Sequence, residues 1–187
     1  IGGAPISKKL AAELLKITTT VYETYGMTET VTHIAIKRIS EPFFEAMPNV
    51  TLSVDERSCL VIDAPNILQE KVITNDIVAL ESPKQFKWLG RYDNMINSGG
   101  IKFLPEAIEK KLASKIDRRY FISSQPDEIL NEKIILIIEG EPFEIEDKIF
   151  KKLDKFEIPK NIYFLPKFKE THNGKIIRNE TKALLEV

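Results

Sequence analysis

Two runs of this sequence combine glycine with side chains that can bind a ligand or carry charge. Residues 22–30 bring together an aromatic ring, a glycine, hydroxyl groups and the carboxylate of Glu29 after a β-branched segment. A strand that ends in a polar, glycine-containing loop is a common place of ligand contact in α/β proteins. Residues 89–109 contain Ser98-Gly99-Gly100, where a backbone without Cβ atoms can adopt positive φ and approach a ligand closely. Both runs are therefore candidate binding segments, although an isolated Gly-Gly pair is more often a simple turn.

Hydrophobic periodicity, together with turn-forming Pro, Asn, Asp and Ser residues, predicts the helices and strands that position residues 22–30. Ser7 is a candidate cap for a helix over residues 8–17, and the β-branched segment 18–21 is expected to lead as a strand into residues 22–30. Short strand-like pieces then make residues 34–90 a small, mostly antiparallel β unit. The predicted strands are residues 33–39, 50–54, 59–63, 71–73 and 85–89.

The second half of the sequence alternates helical and extended patterns. Pro105 suits a first helical turn, and an apolar stripe at Ile108, Leu112 and Ile116 predicts a helix over residues 105–115. The further predicted elements are a strand at 120–123, a turn-rich segment at 124–133, strands at 134–138 and 162–165, a helix at about 143–153 and a final helix. The expected fold is therefore α+β, with the small antiparallel unit followed by a compact α+β C-terminal domain.

Composition limits the classes of function. Apolar residues make up 43% of the 187 residues and charged residues 29%, which is ordinary for a globular protein. A net charge of -1 argues against a nucleic-acid partner bound through broad phosphate neutralisation. No apolar run is long enough for a membrane span and no signal-peptide pattern begins the sequence, so no membrane partner is expected. Cys59 is the only cysteine, which excludes an intrachain disulfide and favours a reducing cytoplasm.

The run GRYDNMINSGGIKFLPEAIE at residues 90–109 matches a known signature at many fixed offsets. It resembles G-R-x-D-x-x-I-x-x-G-G-x-K-x-x-P-x-x-[IV]-E, the hinge signature of the adenylate-forming enzymes, the superfamily of acyl-CoA synthetases, luciferases and peptide-synthetase adenylation domains. The matching positions are Arg91, Asp93, Ile96, Gly99, Gly100, Lys102, Pro105 and Glu109. Ala107 departs from the family pattern, which often has an acidic residue there.

This resemblance implies roles for the residues of the signature. Asp93 would be the hinge between a large and a small domain. The small domain would turn about it between two reaction steps and present a CoA-binding segment to the pantetheine arm. The residues of that segment are Ser98, Gly99, Gly100 and Lys102.

The Tyr-Gly-Met-Thr-Glu run is similar to the adenylate-binding motif of the same superfamily. The resemblance implies that the ring of Tyr25 stacks on adenine beside Gly26, and that the hydroxyl of Thr28 bonds the phosphate or the acyl carboxylate. Glu29 would face Mg²⁺, for which a carboxylate is a suitable hard ligand. Met27 and His33 would line the acyl pocket. The competing interpretation makes Tyr25 a core aromatic residue and Glu29 a solvated acid.

Two weaker matches complete the nucleotide site. Gly2-Gly3-Ala4-Pro5 resembles a turn that the family lays along the adenine edge, which implies that Gly3 and Ala4 contact the base. Residues 72–76 resemble a degenerate T-G-D motif in which Asp76 accepts hydrogen bonds from both ribose hydroxyls and Asn75 replaces the glycine. Arg91 would approach the same ribose. The alternatives are a turn aspartate and a surface salt bridge.

The sequence KFKETHNGKIIR at residues 167–178 resembles the closing motif P-[RK]-x-x-x-G-K-x-x-R of the family. The resemblance makes Lys175 the mobile lysine that reaches the acyl carboxylate and the α-phosphate. A compact charge on a flexible stem suits that task. The alternative is that Lys175 is one of many exposed lysines, as is expected for those of the lysine-rich tract from Lys148 to Lys169. Residues 123–133 echo a further family loop and are interpreted as structural, and His172 as a loop residue.

The family also has a large N-terminal domain with a phosphate loop, T-S-G-T-T-G-x-P-K, and that loop is absent from this sequence. The resemblance implies that residues 1–92 are the C-terminal part of the large adenylate-binding domain and that residues 93–187 are the small mobile domain. The missing N-terminal domain would be a partner, and the chain alone is expected to be inactive. Homodimerisation is left open.

The implied cofactors and substrates are ATP, Mg²⁺, CoA and a carboxylic acid. The acid would attack ATP to give an acyl-adenylate and pyrophosphate, and the CoA thiol would then displace AMP. The amino-acid sequence of residues 25–35 is most similar to that of the family branch that activates o-succinylbenzoate for menaquinone synthesis. The alternatives are a ligase for another aromatic or fatty acid and a non-catalytic remnant that binds nucleotide or CoA.

Overall fold

The computed structural model describes residues 1–3, 6 and 8–185, which form two compact units, Ile1–Asp93 and Asn94–Val187. The first unit is built on a seven-stranded sheet and the second on a five-stranded sheet. The predicted fold class, an antiparallel β unit followed by an α+β domain, is confirmed. Ser7, the predicted helix cap, lies outside the described residues.

Antiparallel pairing between neighbours in space organises the first unit. Its sheet has the order β1-β2-β3-β7-β6-β5-β4, and every neighbouring pair is antiparallel. The elements are α1 (Lys8–Leu14), β1 (Tyr22–Gly26), a 3-10 helix (Thr28–Thr30), β2 (His33–Arg38), β3 (Phe44–Ala46), β4 (Thr51–Val54), β5 (Cys59–Asp63), β6 (Val72–Ser82) and β7 (Gln85–Arg91). One face buries a core that includes Ile34, Leu52, Ile62 and Phe86.

Three sequence predictions in this unit are wrong in extent, the first being the helix over residues 8–17, which ends at Leu14. Residues 18–21 do not form a strand, because the pairing of β1 with β2 begins at Tyr22 opposite Arg38. The strand predicted at residues 71–73 is only the start of β6, which has 11 residues. Its first residues pair with β5, and the rest of its length comes from a tight hairpin in which Ser82 pairs with Gln85 and residues 76–82 pair along β7.

The strand β11 is the centre of the second unit. It pairs antiparallel with β10 and β8 and parallel with β12. The elements are β8 (Ile96–Ser98), β9 (Ile101–Phe103), α2 (Pro105–Leu112), β10 (Tyr120–Asp127), β11 (Asn131–Glu139), a 3-10 helix (Asp147–Lys152), β12 (Asn161–Leu165) and α3 (Arg178–Lys182). A further 3-10 turn, Tyr92–Asn94, spans the boundary between the units.

The apolar run of residues 134–138 is buried because both faces of β11 are covered. All five side chains are at most 2% exposed. Ile134, Leu136 and Ile138 pack with Ile108 and Leu112 of α2 in one cluster. The alternate residues of the strand pack with Phe121, Leu165 and Phe168 in a second cluster. A continuous apolar run is the expected pattern for a strand buried on two sides.

The structure corrects two further predictions. Residues 124–133 are not mainly turn, because β10 and β11 continue through them as a hairpin whose loop is closed by Asp127, which accepts hydrogen bonds from the amides of Ile129 and Leu130. The helix predicted over 143–153 is a shorter 3-10 helix, since Ile145 already packs on the core from an irregular segment. Within the described residues no helix is both long and apolar enough to span a membrane.

Candidate functional site

The carboxylate of Asp76 lies at the centre of the polar site in the first unit. Asp76 sits on β6 opposite Arg91 of β7 and is only 6% exposed. Its Oδ2 accepts a hydrogen bond from the hydroxyl of Tyr25 at 2.5 Å, and its Oδ1 accepts one from Nε1 of Trp88 at 3.1 Å. Nη1 of Arg91 lies 3.5 Å from Oδ1. Three residues predicted from three separate motifs, Tyr25, Asp76 and Arg91, therefore share one network.

The ring of Tyr25 joins this network to the hydrophobic core. It packs edge-on against Phe86, with centroids 5.1 Å apart, and tilted against Phe44 at 5.8 Å. Burial and the adjacent Asp76 carboxylate raise the pKa of Tyr25 above its ordinary value. The hydroxyl therefore stays protonated and donates to Asp76. The ring is half-buried. It therefore makes the core contacts expected of a core aromatic residue, and part of its surface is also accessible.

The loop after Tyr25 is held in place by buried backbone and hydroxyl contacts, and two of its polar side chains are exposed to solvent. A Cβ at Gly26 would lie 2.6 Å from the carbonyl oxygen of Thr32, so only glycine fits this close approach. The fully buried Thr30 accepts a hydrogen bond from the amide of Met27 and lies 2.8 Å from the same Thr32 oxygen, to which it can donate. Thr28 and Glu29, within the 3-10 helix, are exposed.

The N-terminal residues run beside β1. Gly2 forms a single parallel bridge with Thr24, and the amide of Thr24 donates to the carbonyl of Ile1 at 2.7 Å. Gly3, which directly follows this bridge, has a φ of 92°. Ala4, the other predicted contact with the base, lies outside the described residues.

His33 and Met27, both predicted to line the acyl pocket, have different surroundings. His33 borders a partly open cavity of about 300 Å³, whose wall also includes Met47, Val50 and Ile67. Met27 is half-buried and packs against the core of the first unit. The structure therefore brings His33, and not Met27, to this cavity.

The side chain of Asp93 is fixed within the first unit. Its Oδ2 accepts a hydrogen bond from Nη2 of Arg91 at 2.6 Å, and its Oδ1 accepts one from Nδ2 of Asn75 at 3.0 Å. Asn75 in turn accepts from Nη1 of Arg57 at 3.0 Å. Sequence reasoning treated Asn75 as a substitute for glycine and missed Arg57 and Trp88. The one available signal was Trp88, since a tryptophan N–H in a half-buried strand requires an acceptor.

The predicted CoA-binding segment of the second unit is a tight β-hairpin. Ser98 pairs with Ile101, and the two residues between them have φ of 59° at Gly99 and 80° at Gly100. A two-residue hairpin turn with positive φ at both positions is the type I′ turn, which glycine satisfies without strain. The amide of Gly99 donates to the carbonyl of Leu130 at 2.8 Å, and Lys102 is exposed on β9.

Lys175 lies near the tip of a short irregular hairpin. Glu170 and Ile176 form an antiparallel bridge, and the carbonyl of Lys175 accepts a hydrogen bond from the amide of Thr171 at 2.8 Å. The hydroxyl of Thr171 accepts a hydrogen bond from the amide of Lys175. The backbone of Lys175 is thus ordered while its side chain is exposed.

A half-buried ion pair ties the base of this hairpin to α2. Nη1 and Nη2 of Arg178 donate to the two carboxylate oxygens of Glu109 at 2.7 and 2.9 Å. Nη1 also donates to the carbonyl of Ile122. Such bidentate pairs are among the strong hydrogen-bonded contacts in proteins. The signature residue Glu109 therefore fixes the last residue of the closing motif.

Beside this pair lies the carboxylate of Glu106. Its Oε1 accepts a hydrogen bond from Nδ2 of Asn94 at 2.5 Å, and Oε2 is buried without a hydrogen-bond partner among the described residues. Burial raises the pKa of Glu106 above its ordinary value, although the hydrogen bond from Asn94 and the charge of Arg178 oppose the increase. The folded protein therefore binds the proton of this carboxyl more tightly than the unfolded chain does.

We expect Glu106→Gln to remove part of the pH dependence of stability. Because the folded pKa exceeds the unfolded value, the carboxyl stabilises the fold fully below its unfolded pKa and loses that contribution as pH rises through the folded pKa. Urea unfolding followed by circular dichroism from about pH 4 to about pH 7 measures this. The free energy of unfolding of Glu106→Gln should gain on that of the parent chain as pH rises. Exposed Glu128→Gln serves as the matched control, and parallel curves for Glu106→Gln and the parent would contradict the assignment.

Comparison with known proteins supports the motif analysis. No protein-family model matches the sequence. The 2-succinylbenzoate–CoA ligase of Bacillus cytotoxicus is 24% identical over 221 residues, covering 100% of this chain and 46% of that protein. The chain therefore spans about half the length of the curated relatives it matches.

Solved structures show the same relationship in the fold. The acyl-CoA synthetase (AMP-forming)/AMP-acid ligase II-like protein from Dyadobacter fermentans is 33% identical, with a TM-score of 0.51, and the match covers 100% of this chain and 57% of that one. The O-succinylbenzoate coenzyme A synthetase of Bacillus subtilis, solved with ATP and magnesium, has a TM-score of 0.82 at 19% identity over 97% of this chain and 45% of that one. In sequence and in fold, this chain is therefore similar to part of the AMP-forming acyl-CoA synthetases.

Proposed function

We propose that this chain acts as the C-terminal portion of an ATP-dependent acyl-CoA ligase. In the first step a carboxylate oxygen bonds to the α-phosphorus of ATP while pyrophosphate leaves. In the second the sulfur of CoA bonds to the acyl carbon, AMP leaves with the electrons of the broken C–O bond, and the thiol proton goes to solvent. The other half of the ligase, with the phosphate loop, would come from an N-terminal domain.

One observation carries this proposal, namely the meeting of Tyr25, Asp76 and Arg91 in a single network. These residues come from sequence segments far apart, and each was assigned to the same adenosine by its motif. A carboxylate offers about four lone-pair positions. Tyr25 donates to Oδ2 of Asp76 and Trp88 to Oδ1, and Nη1 of Arg91 also faces Oδ1 at 3.5 Å, so the open acceptor position for a ribose hydroxyl is on Oδ2. The residues therefore fit an adenosine.

The remaining roles rest on the exposed side chains of each unit. Glu29 presents a solvent-accessible carboxylate, the oxygen ligand that Mg²⁺ takes beside phosphates. Lys175 supplies a positive charge on a flexible stem for the charge that develops at the α-phosphate. The glycine turn between Ser98 and Ile101 offers a backbone that a narrow pantetheine arm can approach. CoA would use this hairpin in the second step.

As the acid we propose o-succinylbenzoate, which would make the reaction a step of menaquinone synthesis. The support is the name of the curated relatives and the similarity of residues 25–35 to that branch. In this chain the acid would lie near His33, whose ring borders the cavity of about 300 Å³. A ligase for a different aromatic or fatty acid would use the same nucleotide residues.

Calorimetric titration with a non-hydrolysable acyl-adenylate, an acyl-sulfamoyl adenosine, tests the proposal. The chain should bind the compound, and Asp76→Asn should weaken binding by about tenfold, because one acceptor oxygen becomes a donor. Exposed Glu81→Gln on the same strand is the matched control and should leave binding unchanged. Circular dichroism of both variants shows that they are folded.

The outcomes separate the candidate functions. Equal binding by Asp76→Asn and Glu81→Gln would remove Asp76 from the ribose site. Binding of CoA without any binding of the acyl-adenylate would favour a CoA-binding module. A titration in which neither the acyl-adenylate analogue nor CoA binds would contradict the proposal that this chain contains a pre-formed half of the ligase site.

A further inference from the structure

The boundary between the two units is the peptide bond that joins Asp93 to Asn94, and the side chain on each side of it is hydrogen-bonded within its own unit. Asp93 is the last residue of the first unit and Asn94 is the first residue of the second. Asp93 accepts hydrogen bonds from Arg91 and Asn75, both within the first unit. Asn94 donates to Glu106, within the second. The hydrogen-bonded part of each unit therefore extends up to the peptide bond between Asp93 and Asn94.

On the side of the first unit, Asn75 has rigid support. Its Oδ1 accepts from Nη1 of Arg57 while its Nδ2 donates to Asp93, so the amide is held from both ends. Arg57 is itself fixed by a hydrogen bond from its Nε to Oδ2 of Asp55 at 2.8 Å, and its guanidinium lies 5.0 Å from the ring centroid of Tyr92. An amide held in this way restricts the rotamer of the carboxylate it contacts.

On the side of the second unit, Glu106 provides the corresponding support. It lies in the first turn of α2, its side chain is 10% exposed, and Nη2 of Arg178 lies 3.9 Å from its Oε1. Asn94 is therefore bonded to a carboxylate that is packed into its own unit. Asn75 belongs to the first unit and Asn94 to the second. The side-chain amide of each donates a hydrogen bond to a carboxylate of its own unit.

We propose that Asn75 and Asn94 are a pair of clamps that confine rotation between the units to the link between Asp93 and Asn94. The torsions that change would be ψ of Asp93 and φ of Asn94, while the flanking backbone moves with its own unit. This rests on the proposed function in that Asp93 serves as the hinge of the ligase. The family motif has glycine at the position of Asn75, so the first clamp is a feature of this chain.

The clamps act as positioning residues for the two-step reaction. A rotation about one link moves Lys175 and the hairpin of Ser98 along defined paths, because all other backbone near the link stays fixed. Without the clamps, the change in direction of the chain would be spread over several residues and the two orientations would be poorly defined.

Distance measurements on the chain without ligand test this proposal. Spin labels placed at Glu45→Cys and Glu128→Cys, in a Cys59→Ala background, report one distance between the units by pulsed electron spin resonance. Asn75→Ala should raise the population outside the main distance peak about fivefold, the factor that corresponds to about 1 kcal/mol for one lost hydrogen bond. Asn94→Ala should do the same, and the double variant should exceed either.

A matched asparagine and a ligand titration make the result decisive. Asn161→Ala, at the exposed start of β12, should leave the distribution unchanged. Distributions for Asn75→Ala and Asn94→Ala that equal that of Asn161→Ala would overturn the clamps. The distance measurement needs no nucleotide, so a broadened distribution in a chain that fails to bind acyl-adenylate would uphold the clamps and reject the ligase site.

Discussion

Phe86→Ala should lower the free energy of unfolding of the first unit by about 4 kcal/mol. Phe86 has no exposed surface, stacks on Phe44 with centroids 5.3 Å apart and contacts the edge of Tyr25. Truncation leaves a cavity at the point where the core supports the nucleotide residues. Because Trp88 is the only tryptophan of the sequence and packs on this core, urea unfolding followed by its fluorescence measures the loss directly.

Two further substitutions distinguish cavity formation from a general effect of losing a phenylalanine. Phe86→Leu keeps most of the volume and should cost about 1–2 kcal/mol. Phe156→Ala removes a ring that is 57% exposed and should change stability by no more than about 0.5 kcal/mol. A loss for Phe86→Ala as small as that for Phe156→Ala would show that the aromatic cluster does not hold the first unit together.

Arg178→Ala should destabilise the second unit by about 3 kcal/mol. The guanidinium is 24% exposed and forms a two-point hydrogen-bonded pair with Glu109, which is 18% exposed. Removing one partner leaves the other charge uncompensated in a poorly hydrated position, which costs more than the pair itself contributes. Hydrogen exchange of the β11 amides, measured by NMR, reports the second unit separately from the Trp88 signal.

The companion variant removes both charges. Glu109→Leu combined with Arg178→Met should recover more than half of the stability lost in Arg178→Ala, since no uncompensated charge is left. Arg178→Lys, which keeps the charge but not the planar pair of donors, should fall between the parent and Arg178→Ala. If β11 is as protected in Arg178→Ala as in the parent chain, the pair does not anchor the hairpin of Lys175.

The predicted segments that were correct share a local cause. Residues 59–63 form β5 within the predicted bounds, and Pro105 begins α2, because β-branched alternation and a proline at the first helical position act within a few residues. The 11-residue length of β6 was missed, since the propensity of residues 74–82 is mixed and the strand is supported from Asp76 to Ser82 by its pairing with β7. The helix expected over residues 143–153 is the 3-10 helix Asp147–Lys152, although the residues that periodicity turned inward do pack on the core, namely Ile145, Ile149, Phe150 and Leu153.

By itself the sequence determined the α+β class, the positive φ at Gly99 and Gly100 and the list of motif residues, because glycine conformations, apolar periodicity and motif spacing are properties of neighbouring residues. The tertiary structure decided which of those residues meet. Asp76 lies with Tyr25 only because β6 and the strand of Tyr25 belong to one sheet, and Asn75 reaches Asp93 only because β6 pairs with β7 in that register. Contacts between distant residues depend on the register of strands, and a register is fixed by packing of the whole sheet rather than by any local pattern.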